Sequence, residues 1–253
     1  IHLEEDTGRL LHPEGEKNVS LVDYNRAGVP LMELVTEPSI KSGEAAAALG
    51  KELQLILRYL GIASADMEKG GLRIEANVSA ARDGASELGM KVEIKNLNSF
   101  KAVCEAIDYE IKRQKEILAG GDKVAQETRG WDETRRITKS QRTKEDAHDY
   151  RYFPEPDIPP LDFSDPGFID IPALTKEIPE LPSGKRERFR GEYGLKPEEA
   201  DLLVQDLEAA GYFEEVISEL KAEDAEASAA MAFNYLTSDL FGFMREKKLT
   251  FSD

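Results

Sequence analysis

Eight prolines fall between Pro154 and Pro182: Pro154, Pro156, Pro159, Pro160, Pro166, Pro172, Pro179 and Pro182. Each lacks an amide donor, fixes its own φ and biases the preceding residue toward extended backbone. Long helices and central strands are not expected through such a run, so the 253-residue chain is divided there. Before it, alternating strand patterns mix with two helical patterns; beyond it, the pattern is helical throughout. The expectation is an α+β unit over residues 1–165, a Pro-rich extended connection over 166–182, and an all-α helical unit over 183–253.

The helical patterns of the first unit are punctuated at both ends. Over 43–60, Ser42 offers an N-cap and Gly61 a stop, with Leu49, Leu53, Ile56, Leu57 and Leu60 at helical spacing. Over 99–118, Ser99 offers the cap and Gly120 and Gly121 follow the end; Val103, Ile107, Ile111 and Leu118 form the apolar stripe, with Cys104 read as a small core residue. Residues 72–79 (LRIEANVS) alternate, Leu72, Ile74, Ala76 and Val78 against Arg73, Glu75, Asn77 and Ser79. Residues 91–95 repeat this, Val92 and Ile94 against Lys91, Glu93 and Lys95, and at the start Ile1 and Leu3 oppose His2, Glu4 and Asp6. Strands with one apolar and one charged face predict an antiparallel sheet covered by helices on one side, its other face a solvated wall or a polar working surface. In the second unit helices are expected over 184–193 (Ser183 as cap, Gly194 as stop), over 197–210 with Pro197 at the start and Gly211 after, and over 212–221 and 224–246.

Composition narrows the function classes. Apolar residues at 40% and charged residues at 33% describe a folded globular chain. One cysteine, Cys104, excludes an intrachain disulfide and a Cys-based zinc site and fits a reducing, cytoplasmic compartment. No run approaches the roughly 18 apolar residues of a membrane helix. A net charge of −17 argues against a nucleic-acid surface over the whole chain. It leaves room for a local one, because six bases (Arg129, Arg135, Arg136, Lys139, Arg142, Lys144) stand against Asp132 and Glu133 over 129–144. The chain opens at Ile1 in what reads as mid-strand, with no leader-like n- and h-regions, and is expected to be part of something longer. No GxxxxGK[ST], GxSxG or HExxH pattern occurs, so any ATP use would not be of the P-loop type.

Four clusters could carry chemistry. Glu33 lies inside VPLMELV, which reads as a strand apolar on both faces; a carboxylate there must be ion-paired, protonated or metal-bound. The HLEED opening can put His2, Glu4 and Asp6 on one face, a set able to hold a hard divalent ion or simply to be solvated. Arg73, Glu75, Asn77 and Ser79 beside Lys95 and Asn96 could neutralise phosphate oxygens or form an exposed face laced with ion pairs. In 148–157 (HDYRYFPEPD), aromatics interleave with Arg151 and could stack on nucleotides or clasp a loop onto the core.

Six collinear segments, HLEED at 2–6, SLVDYNRAGVPLMELVTEP at 20–38, LRIEANVS at 72–79, VEIKNLNSF at 92–100, QETRGWD at 126–132 and HDYRYFPEPDIPPL at 148–161, together resemble the B-subunit family (GatB) of bacterial-type aspartyl/glutamyl-tRNA amidotransferases. The resemblance implies a cradle-shaped α+β domain related to the glutamine synthetase catalytic core, followed by a helical domain. It implies ATP and Mg²⁺ as cofactors and phosphorylation of the side-chain carboxylate of Glu or Asp misacylated onto tRNA(Gln) or tRNA(Asn). Ammonia from a partner amidase, the A-subunit, would then form the amide, with a small C-subunit fastening the pair. Carried over by position, Glu4 and Glu33 match the metal-binding carboxylates. Arg73 and Lys95 are assigned to phosphate or acyl-phosphate stabilisation, Asn77 and Asn96 to orientation, and Glu75, Tyr150 and Arg151 to the substrate cradle. Arg135 and Arg136 are expected to touch tRNA, so that charge reversal there weakens tRNA binding. Many relatives place Asp where Glu75 stands, a longer arm that would shift geometry if it touches metal or substrate. The family's N-terminal segment with further Glu and His ligands, and its tail domain, are not represented, so this chain alone is expected to show little transamidation. Two other readings belong to different classes: a non-catalytic tRNA-binding or assembly subunit, for which Glu33 would be salt-bridged, and a free-standing small-molecule ligase of the glutamine synthetase type.

Overall fold

The computed structural model describes residues 1–13, 19–82, 84–143, 158–159, 161–164, 167–222 and 228–251. The chain begins as a nested two-stranded ribbon. Strand β1 (His2–Glu5) pairs antiparallel with β4 (Pro30–Glu33), and β2 (Arg9–Leu11) pairs with β3 (Leu21–Asp23). Where the ribbon passes from one pair to the next, the Asp6 N–H donates to the Val29 carbonyl (2.8 Å) and the Gly28 N–H to the Asp6 carbonyl (2.9 Å). The Asp6 carboxylate pairs with Arg26 at 2.9 Å, and Arg26 also donates to the Gly70 carbonyl at 2.9 Å, tying the ribbon to the loop that precedes the main sheet.

That sheet has the order β5 (Ile74–Val78), β6 (Val92–Leu97), β7 (Glu127–Asp132), β8 (Ile137–Thr143). The β5/β6 and β7/β8 pairs are antiparallel, but β6 and β7 run parallel, so the sheet is mixed where an antiparallel one was expected. The cause is the helix between them. After β6 the chain enters α2 (Phe100–Ala119), which crosses back over one face of the sheet and delivers β7 in the direction of β6. Ser99 caps α2 by accepting from the Ala102 N–H (3.0 Å), and Ser42 caps α1 (Gly43–Tyr59) by accepting from the Ala45 N–H (3.1 Å), as the sequence predicts. The two helices touch closely at Gly43, where an added Cβ would collide with the Cys104 carbonyl.

Burial follows the strand alternation from Ile74 onward, two residues later than the pattern allowed. Ala76 and Val78 are buried with Val92, Ile94 and Leu97 under α2, and Trp131 closes the core from β7. On α2 the buried stripe is Ala102, Val103, Ala106 and Ile107, then Glu110 and Gln114; Ile111 packs against this core partly buried, and Leu118 lies outside it. Cys104 stands at the edge of this core, half-buried, with its thiol toward Asp108. Glu110 and Gln114 are fully buried yet well supplied with partners. Arg113 grips Glu110 with two donors at 2.7 and 2.9 Å, Thr138 donates to it at 3.1 Å, and Gln114 donates to it at 2.9 Å. Gln114 also bonds the backbone at Val78 and Ala80, and Arg129 joins Glu127 to Thr138. Burial alone would raise the Glu127 carboxyl, but bonds from Ser140 and Arg129 and the charges of Arg129 and Arg113 outweigh it and hold it below the usual range.

In the Pro-rich connection a short helix, α3 (Ile171–Glu177), stands where extended chain was expected. Asp170 caps it through the Ala173 N–H (3.0 Å), and Pro172 falls in the first turn, where a missing amide donor costs nothing. Beyond it, α4 (Pro182–Tyr193) starts on Pro182, not under a Ser183 cap, and ends at Gly194 in the left-handed region. One helix was expected over 197–210; the chain instead forms α5 (Pro197–Val204) and α6 (Leu207–Ala222). The break comes from Asp206, whose carboxylate accepts from the Glu208 and Ala209 N–H groups and nucleates a second start, so Gly211 lies inside α6. The last pattern resolves into α7 (Ala229–Asn234), a π-helical turn (Tyr235–Leu240) and α8 (Phe241–Lys247).

Phe189, Leu203, Val204, Phe213, Ile217, Phe233 and Leu236 form the helical core, with the Phe189 and Phe213 rings 5.5 Å apart. Tyr59, the last residue of α1, belongs to this core as well. Its hydroxyl donates to the Val204 carbonyl at 2.9 Å, and Arg186 of α4 bridges Glu52 of α1 to Asp201 of α5. Among the described residues no helix is long and apolar enough to cross a membrane.

Candidate functional site

The antiparallel register of the ribbon sets His2 opposite Glu33, while Glu4, two residues along β1, shares the face of His2. The result is a tight group: one ligand atom from each of His2, Glu4 and Glu33 lies within 4.8 Å of the others. The ring nitrogen of His2 is 2.9 Å from Glu4 Oε1. Asp6, expected on the same face, lies past the end of the strand and is held by Arg26 instead.

Glu33 is the uncomfortable member of the group. Its Oε2 is buried without a hydrogen-bond donor, and among the described residues no lysine or arginine forms an ion pair with it. Burial raises its pKa above the usual carboxylate range; the adjacent Glu4 raises it further by hydrogen bond and by charge, His2 opposes the shift, and Glu75 adds to it. The strand around it is not apolar-buried on both faces as the sequence suggested. Leu34 and Val35 are exposed and so is Met32, because among the described residues β4 pairs only with β1. Two carboxylates and an imidazole around an oxygen with no donor are the donor set of a hard divalent cation, and the residues fit Mg²⁺.

A second polar surface lies on the side of the main sheet turned away from α2. Ile74 pairs with Leu97 and Ala76 with Ile94, so Glu75 alone opposes two residues, Lys95 and Asn96. This β-bulge puts Asn96 in the left-handed region (φ 65°) and keeps Lys95 and Asn96 off the core side while Leu97 returns to it. Lys95 sits between Glu75 (3.2 Å) and Glu93 (3.6 Å). Burial disfavours its charge, but the two carboxylates outweigh that and raise its pKa. Glu93 also accepts from Thr128 at 2.7 Å. Arg73 and Asn77 are exposed, Arg73 just ahead of β5 and Asn77 on it. Electrostatic contact between Glu75 and Glu33 links this surface to the ribbon group.

Arg135 and Arg136 lie in the turn between β7 and β8, both exposed. Arg136 makes two bonds to Glu105 of α2 (2.6 and 3.1 Å), and Arg129 of the same basic stretch is largely buried and paired, leaving a smaller local surface than the count of bases suggested. Tyr150 and Arg151 fall outside the described residues. Sequence reasoning missed Thr128, Gly130 and Gln141 on the polar side of the sheet; the glycine of the GWD triplet was the signal available.

Over residues 1–168 the sequence matches the family described as the GatB/GatE catalytic domain. The chain belongs to the GatB/GatE family. Among similar proteins, an aspartyl/glutamyl-tRNA(Asn/Gln) amidotransferase B-subunit of Herpetosiphon aurantiacus is 46% identical over 252 residues, covering all of this chain and 50% of the relative. Proteins of the same description from Rhodopseudomonas palustris (47% over 247 residues, 98% of this chain, 49% of the relative) and Caldicellulosiruptor saccharolyticus (51% over 217 residues, 86% and 44%) are similar to it too. The chain spans about half the length of these curated relatives. The GatB/GatE match includes both the ribbon that carries His2, Glu4 and Glu33 and the sheet that carries Lys95 and Asn96.

Proposed function

We propose that this chain forms the kinase and amide-forming part of the B-subunit of a tRNA-dependent amidotransferase, acting in the cytoplasm on Glu-tRNA(Gln) or Asp-tRNA(Asn). The single observation that carries the reading is the convergence of Glu4 and Glu33 with His2 around a buried carboxylate oxygen that has no donor. A scaffold protein that had lost ATP use would be free to pair Glu33 with a lysine or arginine, and among the described residues none does so, while the charge of His2 opposes the upward shift without cancelling it. A small-molecule ligase is disfavoured by the B-subunit relatives.

A carboxylate is a poor acyl donor because its leaving group would be oxide; transfer of a phosphoryl group from ATP supplies a better one. His2, Glu4 and Glu33 would hold Mg²⁺, which when bound neutralises phosphate charge. Lys95, kept charged by Glu75 and Glu93, would counter the charge that develops on the transferred phosphoryl oxygens, with Arg73 adding to the field. Asn77 and Asn96 would orient the acyl group, and the sheet would line a cradle of the glutamine synthetase type for the tRNA acceptor end. Ammonia from an amidase, the A-subunit, then displaces phosphate, a small C-subunit fastening the assembly.

Reconstitution of the intact protein with its amidase partner should convert Glu-tRNA(Gln) to Gln-tRNA(Gln) only with ATP; conversion without nucleotide hydrolysis overturns the reading. A binding measurement probes the cluster directly. Because the folded-state pKa of Glu33 is raised, its contribution to stability is present in acid and is lost as pH rises through that pKa. Mg²⁺ offsets that loss only when Glu33 is ionised. The rise in melting temperature on adding Mg²⁺ to the intact protein should therefore grow as pH rises through the Glu33 titration, above the usual carboxylate range, and should vanish in Glu33→Gln. A Mg²⁺ shift that stays flat with pH would remove Glu33 from the ion's ligands.

A further inference from the structure

On the polar side of the main sheet, one buried residue carries no side chain. Gly130 lies mid-strand in β7, in register with Lys95 on the parallel neighbour β6 and with Lys139 on β8. A Cβ added there would sit 3.1 Å from Asn96 Nδ2 and would collide outright with Gln141 Nε2. Amide heads from the strands on either side of β7 thus converge over a residue that can carry no side chain. Among the described residues neither amide has a hydrogen-bond partner, and both residues are exposed. Asn96 reaches this place only through the bulge, at a left-handed φ that is costly for a residue with a Cβ. The Lys95 ammonium belongs to the same face.

Two unengaged amides are hydrogen-bond donors gathered over one glycine, with the Lys95 ammonium on the same face held between Glu75 and Glu93. Such a set matches an oxyanion, whose several oxygens accept from separate donors. Gly130 makes room for two side chains that cover it, and both of these are exposed and bonded to none of the described residues. We propose that Gln141 and Asn96, meeting over Gly130, form an oxyanion seat, with Gln141 as a substrate-binding residue and Gly130 as the position that leaves the two amides room to meet. The inference rests on the function proposed above and adds Gln141 and Gly130 to it. The oxyanion is either the polyphosphate of the nucleotide or the side-chain carboxylate of the aminoacyl group.

The test uses the intact protein reconstituted with its amidase partner, with steady-state kinetics varied separately in ATP and in Glu-tRNA(Gln). Gln141→Glu keeps the shape and replaces a donor with a negative charge at an exposed position, so folding is not at stake. The expected result is a KM raised by about tenfold or more for one of the two substrates, a larger change than that in kcat. A rise in KM for ATP identifies the polyphosphate; a rise in KM for Glu-tRNA identifies the carboxylate. Gly130→Ala should raise the same KM by pushing the Gln141 amide out of place, and Gln141→Asn should recover part of the loss. Unchanged KM for both substrates in Gln141→Glu, in a preparation where Glu33→Ala is inactive, overturns the seat and leaves the parent reading standing. An active Glu33→Ala enzyme would overturn the parent reading instead.

Discussion

Glu33→Ala should lower ATP-dependent amidation of Glu-tRNA(Gln) by the reconstituted enzyme by at least about a hundredfold. Electrostatics sets the size of the effect. Glu33 and Glu4 lie close enough to raise the Glu33 pKa, and among the described residues the buried Oε2 has no hydrogen-bond partner and Glu33 pairs with no lysine or arginine. A cation that satisfies both loses a direct ligand in the variant, and no described neighbour is placed to substitute. Glu33→Gln, which keeps the shape and removes the charge, should fall nearly as far, separating the charge from the packing. Glu5→Gln, in the same strand as Glu4 but outside the His2–Glu4–Glu33 group, should stay within about twofold of the parent. Should Glu33→Gln keep half the parental rate, the metal assignment fails, and Lys95 would have to carry the phosphoryl charge without it.

Glu110→Ala is the largest stability change we expect outside the site, about 3–5 kcal/mol. The carboxylate is fully buried and receives donors from Arg113, Gln114 and Thr138, with Arg129 3.7 Å away. Its removal leaves the buried Gln114 short of a partner and the two guanidinium groups short of an anion, which costs more than the cavity itself. Glu110→Gln should cost less, since an amide oxygen still accepts from Thr138 or Gln114. Urea unfolding of the intact protein would read both; a loss under about 1 kcal/mol for Glu110→Ala would mean that the network is relaxed by water.

What the sequence made legible was local. Ser42 and Ser99 mark helix starts through side-chain bonds that close within three residues, and both helices begin where the serines place them. Strands β5 and β6 were legible from alternation because one face is covered by α2 and the other is not, whereas β7 and β8 were not read as strands. Non-local features were not legible. Glu110 and Gln114 stand outside the apolar stripe read from the sequence, and only the arrival of β7 and β8 beneath α2 encloses them. The parallel β6/β7 pair follows from where α2 docks, which no periodicity records. The bulge at Lys95 and Asn96 carries no glycine to announce it. For the site, strand alternation placed His2 with Glu4, but the approach of Glu33 depends on the register across the ribbon. Asp6 was misplaced because the strand ends before it.

The placement of Tyr59 has a mechanical consequence. One helix, α1, lies against α2 on the sheet side and ends inside the helical core, where its terminal hydroxyl is anchored to Val204. The bundle is therefore not an appendage held only by its proline tether. It shares a spine with the sheet layer, so a load applied to the bundle by a docked macromolecule is delivered along α1 to the α1–α2 layer that backs the sheet, without having to pass through the Pro-rich connection.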